Sequence, residues 1–275
     1  MLATRFASNK RELVSHVPLT EIQMQQVAPS VFAMEPHESR SERYSYIPTI
    51  EVLRGLRREG FEAFSVTQAR SRIEGKSEFT KHMLRLRHPE THGRNGGTPE
   101  IVLINSHDGT SSYQLLAGWF EFLCSNGLVR GTKAGEIRVA HKGDITGLVI
   151  NGAHTPLSDM RDMADQRDAM RCITLSEGER RAFATAALAL RYEEGNAPIS
   201  PETVLRPRRA EENPADVWTT FNVSQENLIR GGQLGRRSDM RLTRTREVTG
   251  IDQKVGINRG LWVLAEEMRK LKAAA

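Results

Sequence analysis

The spacing of apolar and polar positions changes near the middle of this chain. Up to about Asp144 the apolar runs are short and partly alternating, as in strands. Beyond it, apolar residues recur every three or four positions, as in helices. In "LTEIQMQQVAPSVFAM", Thr20 and Gln23 stand at capping-box spacing, which predicts a short helix from about Glu21 that stops before Pro29. "TIEVLRGLRREG" begins with Thr49 as its cap, sets Ile50, Leu53 and Leu56 on one face, and ends at Gly60. "FEAFSVTQARSRI", "FTKHMLRLRHP", "EIVLINSH" and "EIRVAH" are expected as strands, with residues 88–99 as a loop rich in Gly and Pro. In the second of these, Phe79, Lys81, Met83, Arg85 and Arg87 share one side. "SSYQLLAGWFEFLCSNGLV" fits strand or helix, and its Asn126–Gly127 pair is the strongest short hairpin signal in the chain.

Four helices are expected in the second half. "PLSDMRDMADQRDAMRC" puts Met160, Met163 and Ala164 together. "LSEGERRAFATAALALRYEEG" opens with Ser176 and Glu179 at capping-box spacing. "NPADVWTTFNVSQENLIRGG" stops at Gly231–Gly232, and "INRGLWVLAEEMRKLKAAA" keeps its basic residues at the end that suits the helix dipole. The expected class is therefore α+β: an antiparallel sheet in the first half, roughly Phe61 to His141, packed by helices mainly from the C-terminal half. The expected divisions are residues 1–48 (helix and irregular arm), 49–143 (β-rich) and 144–275 (helical), together one compact domain.

Composition narrows the classes. At 275 residues, 38% hydrophobic and 27% charged, the chain resembles ordinary globular proteins. No apolar run reaches the length of a membrane span, and no signal peptide is legible, so a cytoplasmic protein without membrane partners is expected. Cys124 and Cys172 lack the spacing of metal ligands and suit a reducing compartment. The net charge of +5 permits nucleic acid without demanding it. Its distribution is more informative. Residues 70–94 carry seven basic side chains (Arg70, Arg72, Lys76, Lys81, Arg85, Arg87, Arg94) against three acidic ones. Residues 228–249 carry six arginines (Arg230, Arg236, Arg237, Arg241, Arg244, Arg246) against Asp239 and Glu247. Arginine's planar fork suits phosphate. With Gly231, Gly232 and Gly235, the second stretch reads either as a mobile arm that closes on phosphates or as a surface loop.

Several residues invite a catalytic reading. Ser106, His107 and Asp108 are consecutive, so neighbours on a strand would point to opposite faces and the three cannot form a relay among themselves. His–Asp–Gly after an apolar strand is turn chemistry, with Asp108 capping its own backbone and Gly109 at positive φ; His107 and Asp108 stay as catalytic candidates beside that reading. The histidines at 82, 88, 92, 107, 141 and 154 show no metal-site spacing, so no metal or cofactor is expected. Tyr44, Tyr46 and Tyr113 could stack bases, whereas Trp218, Phe221 and Trp262 follow helical periods and are expected in the core.

"NSHDGTSSYQLLAGWFEFLCSNGLV", "LRPRRAEENPADVWTTFNVSQENLIRGG" and "INRGLWVLAEEM" together resemble a family of uncharacterised phage- and plasmid-encoded proteins, the YafZ/YfjQ-like group, a domain of unknown function. The resemblance runs from about Ile47 to Met268. Its motif positions here are Ser106, His107, Asp108, Gly109, Cys124, Asn126, Gly127, Gln225, Glu226, Asn227, Gly231 and Gly232. It implies a cytoplasmic product of mobile elements and supplies no catalytic residues. The β-first layout also resembles, at fold level only, the phage single-strand annealing recombinases, which form rings and hold DNA in a basic groove.

The functional expectation is a non-enzymatic protein that binds nucleic acid, preferably single-stranded. Both basic segments would line one groove, with Arg70, Arg72, Lys81, Arg85, Arg87, Arg230, Arg236, Arg237, Arg241 and Arg244 on the phosphates. The alternatives are an inhibitor or regulator that binds a host protein, and a metal-dependent nuclease or hydrolase. A homo-oligomer fits the first reading.

Overall fold

The computed structural model describes residues 12–39, 46–71, 73, 75–89, 97–121, 126–129, 137–139, 145–153, 155–212 and 215–274. The alternating segments pair into one sheet. Strands β1 (Glu12–Val14), β2 (Glu62–Gln68), β3 (His82–Arg87), β4 (Gly97–Asn105), β5 (Tyr113–Glu121) and β6 (Asn126–Val129) lie side by side in that order, and β7 (Ile137–Val139) pairs with β5. Helices α1 (Glu21–Val27) and α2 (Thr49–Arg58) belong to the first half. Helices α3 (Ile145–Ala153), α4 (Thr155–Arg171), α5 (Glu177–Ala189), α6 (Pro201–Val204), α7 (Val217–Arg230) and α8 (Ile251–Ala273) follow. Strands β8 (Leu234–Arg236) and β9 (Leu242–Arg244) form a separate antiparallel hairpin. The chain is α+β, with its antiparallel sheet in the N-terminal half and most of its helices in the C-terminal half.

Contacts divide the chain into two units. The first is Met1–His92, Glu100–Leu116 and Glu136–Leu157; the second is Gly93–Pro99, Ala117–Gly135 and Ser158–Ala275.

In the first unit, Thr20 and Gln23 form the expected capping box on α1, and Ile50, Leu53 and Leu56 of α2 are buried. Thr49 departs from expectation. The N-cap of α2 is Pro48, whose carbonyl accepts from the backbone of Glu51, and the Thr49 side chain turns into the interior. Strand β3 departs further. Alternation showed which of its residues share a side but not whether that side is wet. Met83 and Arg85 are buried on one side, Leu84 and Leu86 on the other. The Nε groups of Arg85 and Arg87 both donate to Glu100, a carboxylate only 1% exposed. The Arg87 guanidinium also lies over the Phe64 ring, 4.2 Å from its centroid.

The Asn126–Gly127 pair sits within the β5–β6 ladder, with Gly127 opposite Phe120 and Asn126 opposite Glu121. It is therefore strand rather than turn; the connection, residues 122–125 with Cys124, lies outside the described residues. So do Tyr44, Arg72, His92, Arg94, His141 and His154.

The second unit is built on helices that began where their caps placed them. Ser176 and Glu179 form the capping box of α5, and the Asp216 carboxylate accepts from the Thr219 backbone to start α7. Trp218, Phe221 and Trp262 meet in its core at ring distances of 5.4, 6.2 and 6.3 Å, as their periods implied. Helix α8 begins at Ile251, six residues ahead of the "INRG" motif that opens at Ile257.

Removing Glu100 would take from two largely enclosed guanidinium groups the buried carboxylate they share. We expect Glu100→Ala to lower the unfolding free energy by about 3–5 kcal/mol, measured by urea denaturation.

Candidate nucleic-acid interface and the buried polar clusters

Strand β4 ends at Asn105 and β5 begins at Tyr113, so the His–Asp–Gly step falls in the intervening turn. Asp108 Oδ1 accepts from the Thr110 backbone N–H at 3.0 Å and from the Thr110 hydroxyl at 2.6 Å, and Gly109 stands at φ +77°. The Ser106 hydroxyl oxygen accepts from the backbone of Ser111 at 2.8 Å. The turn reading is the one the chain adopts. Burial alone would raise the Asp108 carboxyl. The Thr110 and Ser106 hydrogen bonds and the charge of Lys76, at 3.5 Å, outweigh it and hold the group below the usual carboxylate range.

His107 turns inward to a cluster centred on Thr49 Oγ1. Around that oxygen stand His82 Nε2 at 2.8 Å, Asn105 Nδ2 at 3.0 Å, His107 Nε2 at 3.1 Å and Tyr113 Oη at 3.3 Å. The directions follow from what each group can offer. Thr80 O, 3.2 Å from His82 Nδ1, can only accept, so the His82 proton sits on Nδ1. His82 Nε2 must then accept from the Thr49 hydroxyl, and Thr49 accepts from Asn105 and from His107 Nε2–H. Ser30 continues the chain, 3.0 Å from His82 Nδ1 and donating to Gln68 Oε1 at 2.9 Å. Tyr113, considered above for base stacking, is fully buried here and donates to Ile47 O at 2.9 Å. Thr49 and His82 have the geometry of a hydroxyl and its base, yet both are 0% exposed, and Asp108 is engaged by Thr110. The cluster fastens α2 to β3, β4 and β5. Sequence reasoning missed Thr49, because a threonine at a helix start reads as a cap.

Burial holds the His82 imidazole down to about 4 from its ordinary 6.5, against the opposing effects of Thr80 and Asp108. A group kept neutral in this way stabilises the fold above its unfolded value and loses that contribution as pH falls toward the folded value. Urea-unfolding stability should therefore decline between about pH 6.5 and about pH 4, by up to about 3 kcal/mol from this residue, and the decline should shrink in His82→Gln. Thr49→Val, which keeps the shape and removes the shared oxygen, should cost about 1–3 kcal/mol at neutral pH in the same assay.

The "QEN" motif is interior. Glu226, 1% exposed, accepts two parallel hydrogen bonds from Arg209, at 2.8 and 2.9 Å, and a third from Arg230. Burial would raise its carboxyl, but the bonds and charges of Arg209 and Arg230 leave it below the ordinary value. Asn227 donates to the carbonyls of Val204 and Arg206, at 2.8 and 2.9 Å, and accepts from Arg208 and Gln233. Gln225 donates to Asn258 on α8 at 2.6 Å. The motif thus clasps the loop "RPRRAEE" and the start of the hairpin to α7, which ends at Gly231 with φ +66°.

The glycine- and arginine-rich stretch expected as an arm is the β8–β9 hairpin. A Cβ at Gly235 would fall 1.9 Å from Pro198 O, so only glycine lets β8 lie against that backbone. The ladder pairs Leu234 with Arg244 and Arg236 with Leu242, which places these four on one face and Gly235 and Thr243 on the other. Leu234 and Leu242 are 56% and 65% exposed, and Met240 near the tip 66%. Arg236, Arg237, Arg241 and Arg244 are exposed as well. Their side chains meet mainly backbone carbonyls: Arg236 donates to Met240 O at 3.0 Å and Arg244 to Gly232 O at 3.1 Å, while Arg241 lies 3.7 Å from Asp239.

Of the residues expected on phosphates, those of 70–94 fall in the first unit through His92, and those of 230–246 in the second. Arg70 is exposed and Lys81 half-buried, while Arg85 and Arg87 are consumed by Glu100 and Arg230 gives one nitrogen to Glu226. Among the described residues, no three His, Cys, Asp or Glu side chains converge to hold a metal, and no helix is long and apolar enough to cross a membrane.

Fold and site together define an α+β protein with an internally clasped family motif and an exposed arginine–leucine hairpin. Comparison with known proteins agrees with the motif. Residues 36–262 match the family described as "Domain of unknown function (DUF932)", and the chain belongs to that family. It is 49% identical over 251 residues to UPF0380 protein YafZ of Escherichia coli (strain K12), covering 91% of this chain and 92% of the relative. The same identity and coverage hold for UPF0380 protein YfjQ of that strain. No solved structure matches.

Proposed function

We propose that this protein binds single-stranded nucleic acid through the exposed face of the β8–β9 hairpin, without catalysing a reaction on it. The observation that carries the reading is the alternation on that face. Arg236 and Arg244 stand diagonally with Leu234 and Leu242 between them, and Arg237, Met240 and Arg241 extend the pattern to the tip. Guanidinium groups suit phosphates and the planes of bases, and apolar side chains cover the faces of unstacked bases, which a duplex hides. The narrower reading, annealing or protection of DNA by a cytoplasmic, self-associating product of a mobile element, rests on this one. It draws on the reduced-compartment cysteine usage and the resemblance of the motif blocks.

Fluorescence titration of a (dT)15 oligonucleotide and its duplex across a salt series tests the proposal. Log affinity for the single strand should fall with log salt at a slope of roughly 3 in magnitude if the four hairpin arginines each neutralise a phosphate. The combined Arg237→Gln and Arg241→Gln variant should reduce that slope to about half. An affinity that ignores salt would sink the proposal. The exposed leucines also favour a second reading, an acidic protein partner; a pull-down that survives nuclease and high salt would select it.

A further inference from the structure

The carbonyl end of α7 collects more arginine than helix capping needs. Arg191 donates to Leu228 O and Arg246 O. Arg208 donates from Nε to Asn227 Oδ1 at 2.7 Å and from Nη2 to Gly231 O at 2.6 Å. Arg244 donates to Gly232 O at 3.1 Å. These three guanidinium groups come from three separate stretches of chain and are held by neutral acceptors. Their positions are fixed while their charges stay unneutralised by those bonds. Arg246, exposed, lends its backbone carbonyl to Arg191, and Arg230, its side chain 59% exposed, is bonded to Glu226. The carboxylates in this cluster, Glu212 and Glu226, are both engaged by Arg209, and Glu226 by Arg230 as well.

Burial is the chief cause that lowers the Arg208 guanidinium from its ordinary value; the Arg230 and Arg209 charges add to it, and the Glu226 and Glu212 charges oppose it. Guanidiniums gathered this way favour an added anion. There is also room for one: Gly232 is exposed, and a Cβ built on it would meet nothing within 4 Å. The Gly232 N–H is given to Thr245 O, so an oxyanion in the open space beside Gly232 would be met by the guanidiniums of Arg208, on the carbonyl before Gly232, and Arg244, on the carbonyl of Gly232 itself. Forked N–H donors match two oxygens of a phosphate at once.

We infer that Arg191, Arg208, Arg244 and Arg246, gathered where α7 ends, form a phosphate-binding site. Its ligand is a phosphoryl group, carried either by a nucleic-acid backbone or by a free phosphate compound. The backbone source rests on the proposed function above; the site itself does not.

The test is calorimetric titration of the full chain with inorganic phosphate and with pyrophosphate, at ionic strength held constant with chloride, followed by titration with (dT)15. Wild type should bind phosphate saturably, and pyrophosphate more tightly. Arg244→Gln combined with Arg246→Gln, both exposed positions, should weaken phosphate binding by roughly tenfold. Its melting temperature without phosphate reports whether the fold is retained. Arg237→Gln combined with Arg241→Gln, at the hairpin tip, should leave phosphate binding unchanged. Parallel weakening of (dT)15 in the Arg244/Arg246 variant assigns the site to backbone phosphate; unchanged or absent (dT)15 binding, with phosphate binding lost, assigns it to a free phosphate compound. Heats that match the chloride control, or equal phosphate binding by wild type and the Arg244/Arg246 variant, would overturn the inference.

Discussion

A carboxylate taken out of water must be met by positive charge and hydrogen bonds, and that requirement organises the second unit around Glu226. The charge sits on α7 at 1% exposure, so the chain must bring guanidinium groups to it. Arg209 arrives on a loop and binds through both nitrogens; Arg230 arrives from one turn along the same helix. Once the loop is tied down, Asn227 can seal its backbone, and Gln233 draws in the first residues of the hairpin. Loop, helix end and hairpin therefore form one bonded assembly rather than three neighbouring segments. The first unit answers the same requirement twice, with Glu100 shared by Arg85 and Arg87, and with one hydroxyl of Thr49 serving two histidines and an asparagine.

The same accounting separates structural arginines from those free to act on a ligand. A guanidinium held by a buried carboxylate has spent its charge, and moving it to a phosphate would uncover the acid it neutralises. Arg85, Arg87, Arg209 and Arg230 are in that position. A guanidinium held by backbone carbonyls is placed but not neutralised, which describes Arg191, Arg208 and Arg244. Exposed arginines on the hairpin, set between leucines, are the third kind. Function on a polyanion can draw on the second and third kinds only, and both lie in the second unit.

Much of the architecture was legible in advance, because it depends on local chemistry. The capping boxes at Thr20 and Ser176, the stop at Gly231 and the Asp108–Gly109 turn each involve residues within a few positions of one another. The α+β division followed from the period of the apolar residues. What could not be read was whether a polar face would be wet. Alternation placed Arg85 and Arg87 together, but it could not show that Glu100, 15 residues from Arg85, would meet them in an interior. Thr49 looked like a cap because the partners that occupy it lie 33, 56 and 58 residues away.

The sequence by itself determined the capped starts of α1 and α5, the stop at Gly231, which residues share a face, and where the arginines are dense. Tertiary structure alone decided which of those arginines are spent on carboxylates, that the glycine-rich stretch is a hairpin seated on Pro198, and that guanidiniums from three parts of the chain converge at the end of α7. The reason is one of range. Caps, periods and turns are satisfied by near neighbours, whereas the cost of burying a charge is settled by whichever partner the fold brings within about 3 Å, however far away it lies in the chain.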